Sequence, residues 1–243
     1  MEVLNDVLGY KNRNIYQNSD SFSFTIDTIL LANFVKLKFT TRKILEIGTG
    51  TGAIPLVLSL RTKAHIDAVE IQKEVAELAK KTIKYNKLEK QVSIINEDIN
   101  NFYLEKNNFY DIIVSNPPYY KNIKTKNSKN ISKHEVFLNI DDVINTSKCM
   151  LKNKGHLFIV YSAERSLELF EKLNKNNLIV KEIRYVYDNL EKEASVVLIE
   201  CIKDGKEGVK VASPIILKNS DGTNNEIYER ILSGGFLYES KKL

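Results

Sequence analysis

Apolar and polar positions change their pattern at about residue 40, after which short apolar runs alternate with amphipathic stretches. The apolar runs are bounded by polar or glycine-containing segments and predict buried strands. These strands cover Ile44–Ile47, His65–Ile71, Gln91–Ile95, Asp111–Ser115 and His156–Tyr161. Apolar residues at helical spacing between them predict helices. The helices cover Ala53–Leu60, Val75–Ile83, Ile140–Leu151 (ended by Asn153 and Gly155) and Ser166–Leu173.

This alternation is typical of an α/β fold with a mostly parallel sheet and helices on both faces. Two further strands, Ile179–Tyr187 and Ser195–Cys201, are joined by a link too short for a helical crossover. They predict one antiparallel strand near the edge of a seven-stranded sheet. We divide the chain into a helical N-terminal extension (1–40), an α/β domain (41–203) and a C-terminal extension packed on that domain (204–243).

The composition narrows the class of protein. Apolar residues make up 43% of the chain, enough for a sizeable core, and no apolar segment is long enough to span a membrane. The N-terminus carries acids instead of the apolar segment of a secretory signal. Cys149 and Cys201 lack the spacing of a disulfide framework or a zinc site, and the three histidines share no ligand spacing. We therefore expect a cytoplasmic protein without a metal.

A glycine-rich turn follows the first strand of the α/β domain. Gly48, Gly50 and Gly52 lie between a predicted strand and a predicted helix, where glycines allow a ligand to approach the backbone closely. The spacing is neither the dinucleotide fingerprint nor a P-loop. Glu46, an acid just before the turn, suits a positively charged ligand better than a diphosphate.

Two more acids follow the next two strands. Glu70 ends the second strand, and a carboxylate there can accept both hydroxyls of a ribose. Asp98 follows the third strand and is placed to bind an adenine amino group. Because the carboxyl ends of parallel strands meet at one edge of a sheet, these acids and Glu46 predict a cationic, ribose-bearing adenine compound, which is S-adenosylmethionine.

The turn Asn116-Pro117-Pro118-Tyr119 follows the fourth strand. The two prolines have fixed φ angles and no N–H, but their carbonyls and the Asn116 side-chain carbonyl accept hydrogen bonds. Rigid acceptors of this kind suit a planar –NH2 group, and holding both of its hydrogens favours its more nucleophilic, pyramidal form. Tyr119 is placed to stack on a planar substrate. We predict these four residues to be the catalytic group.

The two turns carry a resemblance to a known family. Glu46–Gly52 resembles motif I of class I S-adenosylmethionine-dependent methyltransferases, which have a Rossmann-like fold, and Asn116–Tyr119 resembles motif IV of their amino-group branch. Phe22–Ala32, Ser115–Tyr120 and Lys192–Ser195 are similar to segments of bacterial tRNA1(Val) adenine-N6-methyltransferases. The resemblance implies methyl transfer to N6 of the adenine just 3′ of the valine anticodon. Some members have glycine where this chain has Thr28.

From these motifs and the resemblance we expect a set of residues to bind the cofactor. They are Asp27, Glu46, Gly48, Thr49, Gly50, Gly52, Glu70, Ile71, Asp98, Ile99 and Asn116.

The distribution of charge predicts where RNA binds. The net charge is +5, and residues 121–133 hold five lysines and no acid. Basic side chains of this kind contact phosphates. The predicted contacts are Lys11, Arg13, Lys121, Lys124, Lys126, Lys129 and Lys133, with Lys36 and Lys38 as further candidates.

Two alternatives stay open. The Asn-Pro-Pro-Tyr turn is shared by enzymes that methylate other planar amines: a release-factor glutamine, an rRNA guanine or a DNA adenine. A binding module that kept the fold without catalysis is the other alternative. The presence of Glu46, Asn116 and Tyr119 argues against it.

Overall fold

The computed structural model describes residues 1–18, 24–102, 107–118 and 138–237. Before the α/β domain lie β1 (Glu2–Asp6), β2 (Asn14–Asn18) and α1 (Ile26–Phe34). The domain contains β3 (Lys43–Ile47), α2 (Ala53–Ser59), β4 (His65–Glu70), α3 (Lys73–Tyr85), β5 (Val92–Asn96), α4 (Ile99–Phe102), β6 (Tyr110–Ser115), α5 (Ile140–Met150), β7 (Leu151–Ser162), α6 (Ser166–Lys175), β8 (Leu178–Tyr187) and β9 (Ala194–Lys203). After it come β10 (Lys210–Val211), β11 (Ile215–Ile216) and α7 (Glu226–Leu232).

The main sheet has the strand order β10-β8-β9-β7-β6-β3-β4-β5, and β11 also pairs with β8. The strand β9 is antiparallel to both β7 and β8, whereas β3 is parallel to β4 and β6. The seven long strands with one antiparallel strand near the edge confirm the Rossmann-like prediction. The chain leaves β3 for β4 on one side and returns to β6 on the other. This reversal opens a crevice at the carboxyl ends of β3 and β6, where ligands bind in such sheets.

Helices pack against this sheet: α3 contacts β4 and β5, and α5 contacts β6 and β7. The usual right-handed crossover predicts α2 and α3 on one face and α5 on the other. Helix α1 packs on α2 and also contacts β7, where the rings of Phe34 and Phe158 meet edge to face with centroids 5.9 Å apart. Leu45 of β3 and Val114 of β6 are fully buried. Because the core fixes these strands and α1 together, it also fixes the residues at their ends.

The N-terminal extension is not helical throughout, and this part of the prediction was wrong. The strands β1 and β2 form an antiparallel hairpin that packs on α3, and Tyr16 N donates to Thr82 Oγ1 at 3.0 Å. In β2, Ile15 and Gln17 are buried while their neighbours are half-buried, which is the alternation of a strand. Only Ile26–Phe34 is helical. The division of the chain at residues 40 and 203 stays a prediction.

The end of α5 also differs from the expectation. The helix ends at Met150, and β7 begins at once with the buried, extended Leu151. Asn153 and Gly155 therefore lie inside β7, where the pairing with β6 is irregular. A Cβ on Gly155 would come within 2.8 Å of the Lys152 carbonyl oxygen. This glycine thus allows a tight bend in a strand and does not end a helix.

Candidate active site

The glycine turn joins β3 to α2 at the crevice. Gly48, Gly50 and Gly52 have positive φ angles of 74°, 57° and 93°, which side chains other than glycine rarely adopt. Gly48 N and Thr49 N both donate to the Val69 carbonyl of β4, at 2.9 and 3.0 Å. A Cβ on Gly50 would meet nothing within 4 Å among the described residues. The turn is therefore anchored to β4 while its Gly50 side is open to a ligand.

A cavity of about 150 Å³ lies beside this turn. Its walls include Glu46, Gly48, Thr49 and Gly50 from the glycine turn, Asn116 from the turn after β6, and Phe24 and Thr28 from the N-terminal segment. The two motifs that sequence analysis singled out thus meet at one cavity. The reason is topological, because β3 and β6 are neighbours whose carboxyl ends lie side by side.

Glu46 is the acid that lines this cavity, and it is deeply buried, with an exposed fraction of 2%. Thr49 Oγ1 donates to its Oε2 at 2.5 Å. Burial raises the pKa of Glu46 to about 8; the hydrogen bond from Thr49 opposes this shift and the nearby charge of Glu70 adds to it. Glu46 therefore binds a proton near neutral pH unless a cation takes its place.

Glu70 lies at the end of β4, next to the turn. Its Oε2 accepts from Gly50 N at 3.0 Å and its Oε1 accepts from Gln72 N at 3.0 Å. Burial raises the pKa of Glu70, and the backbone hydrogen bonds partly offset that rise. Within the described ranges, neither Glu46 nor Glu70 forms an ion pair. Two buried acids that have no cation in the described part of the chain, beside an open glycine turn, suit a positively charged ligand.

Asn116 begins the turn after β6. The preceding residue, Ser115, donates through Oγ to the Ile47 carbonyl at 2.9 Å and so fastens the two strand ends together. Asn116 Nδ2 donates to Thr28 Oγ1 at 2.9 Å. Pro117 is buried and Pro118 is half-buried. Tyr119, the fourth residue of the predicted catalytic group, lies outside the described residues.

The remaining predicted cofactor residues follow other strands or begin α1. Asp98 and Ile99 follow β5, and the Asp98 carboxylate accepts from Asn100 N at 2.8 Å. The carbonyl of Ile71, after β4, accepts from Asn96 Nδ2 at 3.0 Å. Asp27 lies in the first turn of α1, and the neighbouring Thr28 lines the cavity. Contact of these four residues with a cofactor stays a prediction.

The predicted RNA contacts are not brought together in the described part of the chain. All five lysines of residues 121–133 lie outside it. Lys11 and Arg13 lie in the β1–β2 loop, and Arg13 Nη2 donates to Ser59 Oγ at 3.4 Å. Ser59 ends α2, which begins at the glycine turn and is about 10 Å long. Lys11 and Arg13 therefore lie away from the cavity, and their contact with RNA stays a prediction.

Lys36 and Lys38, the two further candidates for RNA contact, both have partners within the protein, and their contact with RNA stays a prediction. Lys36 Nζ donates to Glu182 Oε2 at 2.8 Å and also to Glu200. Its charge is therefore already neutralised by two buried carboxylates. Lys38 Nζ lies 3.2 Å from His156 Nε2.

Sequence analysis missed several residues of the cavity wall, among them Phe24, Thr28, Thr51, Ala53 and Ile54. A signal was present for the first two, because Phe22–Ala32 resembled a family segment. Periodicity does not reveal that Thr28 of α1 lines the same cavity as the glycine turn. Among the described residues, the structure shows no cluster of three metal-ligating side chains and no helix long and apolar enough to cross a membrane.

Comparison with known proteins finds methyltransferases that are similar to this chain in sequence and in fold. A family model described as methyltransferase small domain matches residues 24–187. A tRNA1(Val) (adenine(37)-N6)-methyltransferase of Cytophaga hutchinsonii is 28% identical over 230 residues, covering 94% of this chain and 96% of that protein. One of the same name from Trichodesmium erythraeum is 31% identical over 168 residues, covering 67% of this chain and 70% of its own. A predicted O-methyltransferase structure from Agrobacterium tumefaciens shares the fold, with a TM-score of 0.69 and 18% identity over 87% of this chain and 98% of that one.

Proposed function

The chain belongs to the bacterial tRNA1(Val) adenine-N6-methyltransferase family, within the methyltransferase small domain, and is an S-adenosylmethionine-dependent methyltransferase. From this premise we propose that it methylates N6 of adenine 37 in tRNA1(Val), the activity named for its relatives. The observation that carries the proposal is the single cavity shared by the glycine turn and Asn116. A tRNA substrate would also place the protein in the cytoplasm.

The cofactor suits the acids at the carboxyl ends of β3, β4 and β5. Glu46 would pair with a positive charge of the cofactor, and Glu70 would accept from the ribose hydroxyls, as carboxylates at this position do in dinucleotide sites. Asp98 would accept from the adenine amino group. When bound, S-adenosylmethionine supplies an electrophilic methyl group on a sulfonium. The buried carboxylates require no further protein cation, because the ligand brings the positive charge.

Asn116 and Pro117 would act on the other reactant. The lone pair of an exocyclic amine is delocalised into the ring, which makes N6 a poor nucleophile. The Asn116 side-chain oxygen and the Pro117 carbonyl would each accept one N6 hydrogen and so favour the pyramidal amine. Neither group needs to form a covalent bond with the substrate. Positioning of the amine against the methyl group would therefore provide most of the rate enhancement.

The RNA substrate suits a site of this kind. An adenine in an anticodon loop is already partly unpaired, so moving it out of the stack costs less than in a duplex. Tyr119 would stack on the extruded base, and the lysines of residues 121–133 would contact the phosphates. Binding of RNA should then weaken steeply as the salt concentration rises, whereas binding of a peptide should not.

Nucleoside mass spectrometry tests the proposal directly. The protein is incubated with an unmodified tRNA1(Val) transcript and isotope-labelled S-adenosylmethionine. We expect N6-methyladenosine at position 37 and none in a transcript with guanine there. Parallel reactions contain a release factor, ribosomal RNA and duplex DNA. Methylation of one of these substrates with none of the tRNA would overturn the proposal in favour of another planar amine.

A further inference from the structure

One hydrogen bond links the proposed catalytic amide, that of Asn116, to α1 across the cavity. Asn116 Nδ2 donates to Thr28 Oγ1 at 2.9 Å, although the two residues lie 88 positions apart. We propose that Thr28 is a positioning residue that holds the Asn116 amide by its nitrogen and thereby presents the amide oxygen to the substrate amine. This inference rests on the proposed function.

The orientation of the amide matters because its two ends have opposite hydrogen-bonding character. The oxygen accepts hydrogen bonds, whereas the nitrogen only donates them. An Asn116 amide rotated by half a turn would present N–H groups to the N–H groups of the substrate. The bond from Nδ2 to Thr28 Oγ1 holds the amide plane in place and, in the orientation that the structure shows, leaves the amide oxygen free to accept. Thr28 thus acts through Asn116 and need not touch the substrate.

Thr28 can serve as a fixed point because α1 is firmly held. The three residues after it, Ile29, Leu30 and Leu31, are fully buried. Arg61, itself only 4% exposed, donates to the carbonyl oxygens of Ala32 at 2.6 Å and Val35 at 2.9 Å at the other end of the helix. The helix therefore cannot easily follow a moving Asn116 side chain.

The sharpest test changes only the hydroxyl. Thr28→Val has almost the same shape but cannot accept the hydrogen bond, and Thr28→Ser restores the hydroxyl. Thr25→Val makes the same change three residues earlier, at an exposed threonine whose side chain makes no capping hydrogen bond. This variant is the matched control.

We expect Thr28→Val to lower kcat for tRNA methylation about tenfold, which corresponds to about 1.4 kcal/mol, the net worth of one hydrogen bond. The dissociation constant of S-adenosylmethionine, measured by calorimetry, should change less than about twofold. Thr28→Ser should recover most of the lost turnover, and Thr25→Val should have the kcat of the wild-type protein. A merely structural role would not separate kcat from cofactor binding in this way.

A double-mutant cycle tests whether the effect passes through Asn116. In an Asn116→Ala background, Thr28→Val should lower the residual turnover by less than about twofold, because the amide that it positions is gone. An equal loss in both backgrounds would mean that Thr28 acts by another route, and the inference would be withdrawn.

A spectroscopic measurement separates this inference from the proposed function. The two Nδ2–H resonances of the Asn116 side chain should shift in Thr28→Val and stay in place in Thr25→Val, with no RNA present. If the protein methylates no tRNA, the proposed function fails, while these resonances still decide whether Thr28 holds the amide. Unchanged resonances in Thr28→Val would overturn the inference even in an active enzyme.

Discussion

Two pairs of buried glutamates in this molecule differ in their charged partners. Glu46 and Glu70 lie at the carboxyl ends of β3 and β4, and Glu182 and Glu200 lie opposite each other on β8 and β9. All four are buried to a similar degree, with exposed fractions between 2% and 6%. Burial nevertheless raises the pKa of Glu46 and Glu70, whereas the pKa of Glu200 is lowered.

The difference comes from the partners of each pair. Burial alone would also raise the pKa of Glu200, but hydrogen bonds from His156 and Lys36 outweigh it. Lys36 Nζ contacts both Glu182 and Glu200, and His156 Nδ1 lies 2.8 Å from Glu200. Among the described residues, Glu46 and Glu70 have no such cation. Glu182 and Glu200 thus have a cation from the protein itself, and we propose that the cofactor provides the cation for Glu46 and Glu70.

The largest expected effect is on cofactor binding by Glu46→Gln. This change removes the charge but keeps the shape, so the cofactor cation loses its buried partner. We expect the dissociation constant for S-adenosylmethionine to rise about 100-fold, or about 2.7 kcal/mol, within the range for truncating a buried charge pair. Calorimetric titration measures it. The free energy of unfolding without ligand should stay equal or increase, and a large destabilisation would contradict this view of the site.

Lys36→Met should lower the stability of the protein and leave cofactor binding unchanged, the reverse of Glu46→Gln. It leaves Glu182 and Glu200 buried without their main cation, so we expect the free energy of unfolding to fall by about 2 kcal/mol. This value is below that for a fully buried pair because the Lys36 side chain is 36% exposed. Denaturant unfolding at neutral pH measures the loss. Affinity for S-adenosylmethionine should hardly change; a strong loss of affinity with intact stability would mean that the two pairs are not separate.

The pH dependence of the free energy of unfolding should also distinguish the two pairs of glutamates. Because the folded pKa of Glu46 is raised to about 8, its stabilising protonation is present below its unfolded pKa and is lost as the pH rises through 8. The ligand-free protein should thus lose stability towards pH 8 by at most about 1.4 kcal/mol per pH unit. Glu200, with a lowered pKa, contributes stability that is lost as the pH falls.

Cofactor binding should follow the opposite trend over the same range. Deprotonated Glu46 attracts a cation, so the dissociation constant should fall between pH 6 and pH 8, by at most about tenfold per unit. Titrations at several pH values measure this slope, with Glu46→Gln as the control that should abolish it. A slope that persists in Glu46→Gln would assign the titration to another group.

Sequence analysis predicted the site of Glu46 and Glu70 but not the ion pairs of Glu182 and Glu200. The positions of Glu46, Glu70 and Asn116 follow from strand ends and a glycine turn, which are local patterns, and parallel pairing then brings them together. Lys36 meets Glu182 and Glu200 across 146 and 164 residues, so no local pattern marks that contact. The same limit explains why the ion pairs of Lys36 and the place of Thr28 in the cavity wall were not predicted.

The smallest expected effect tests how Thr49 influences the pKa of Glu46. Thr49→Val removes the hydroxyl that donates to the Glu46 carboxylate and opposes the rise in its pKa. The pKa of Glu46 should therefore rise further, and the pH at which cofactor affinity improves should move upward with it. Near neutral pH we expect a loss of affinity of about fivefold, or about 1 kcal/mol. Thr49→Ser keeps the hydroxyl and should bind normally. If Thr49→Val weakened binding equally at every pH, Thr49 would contact the cofactor itself, and its influence on Glu46 would be secondary.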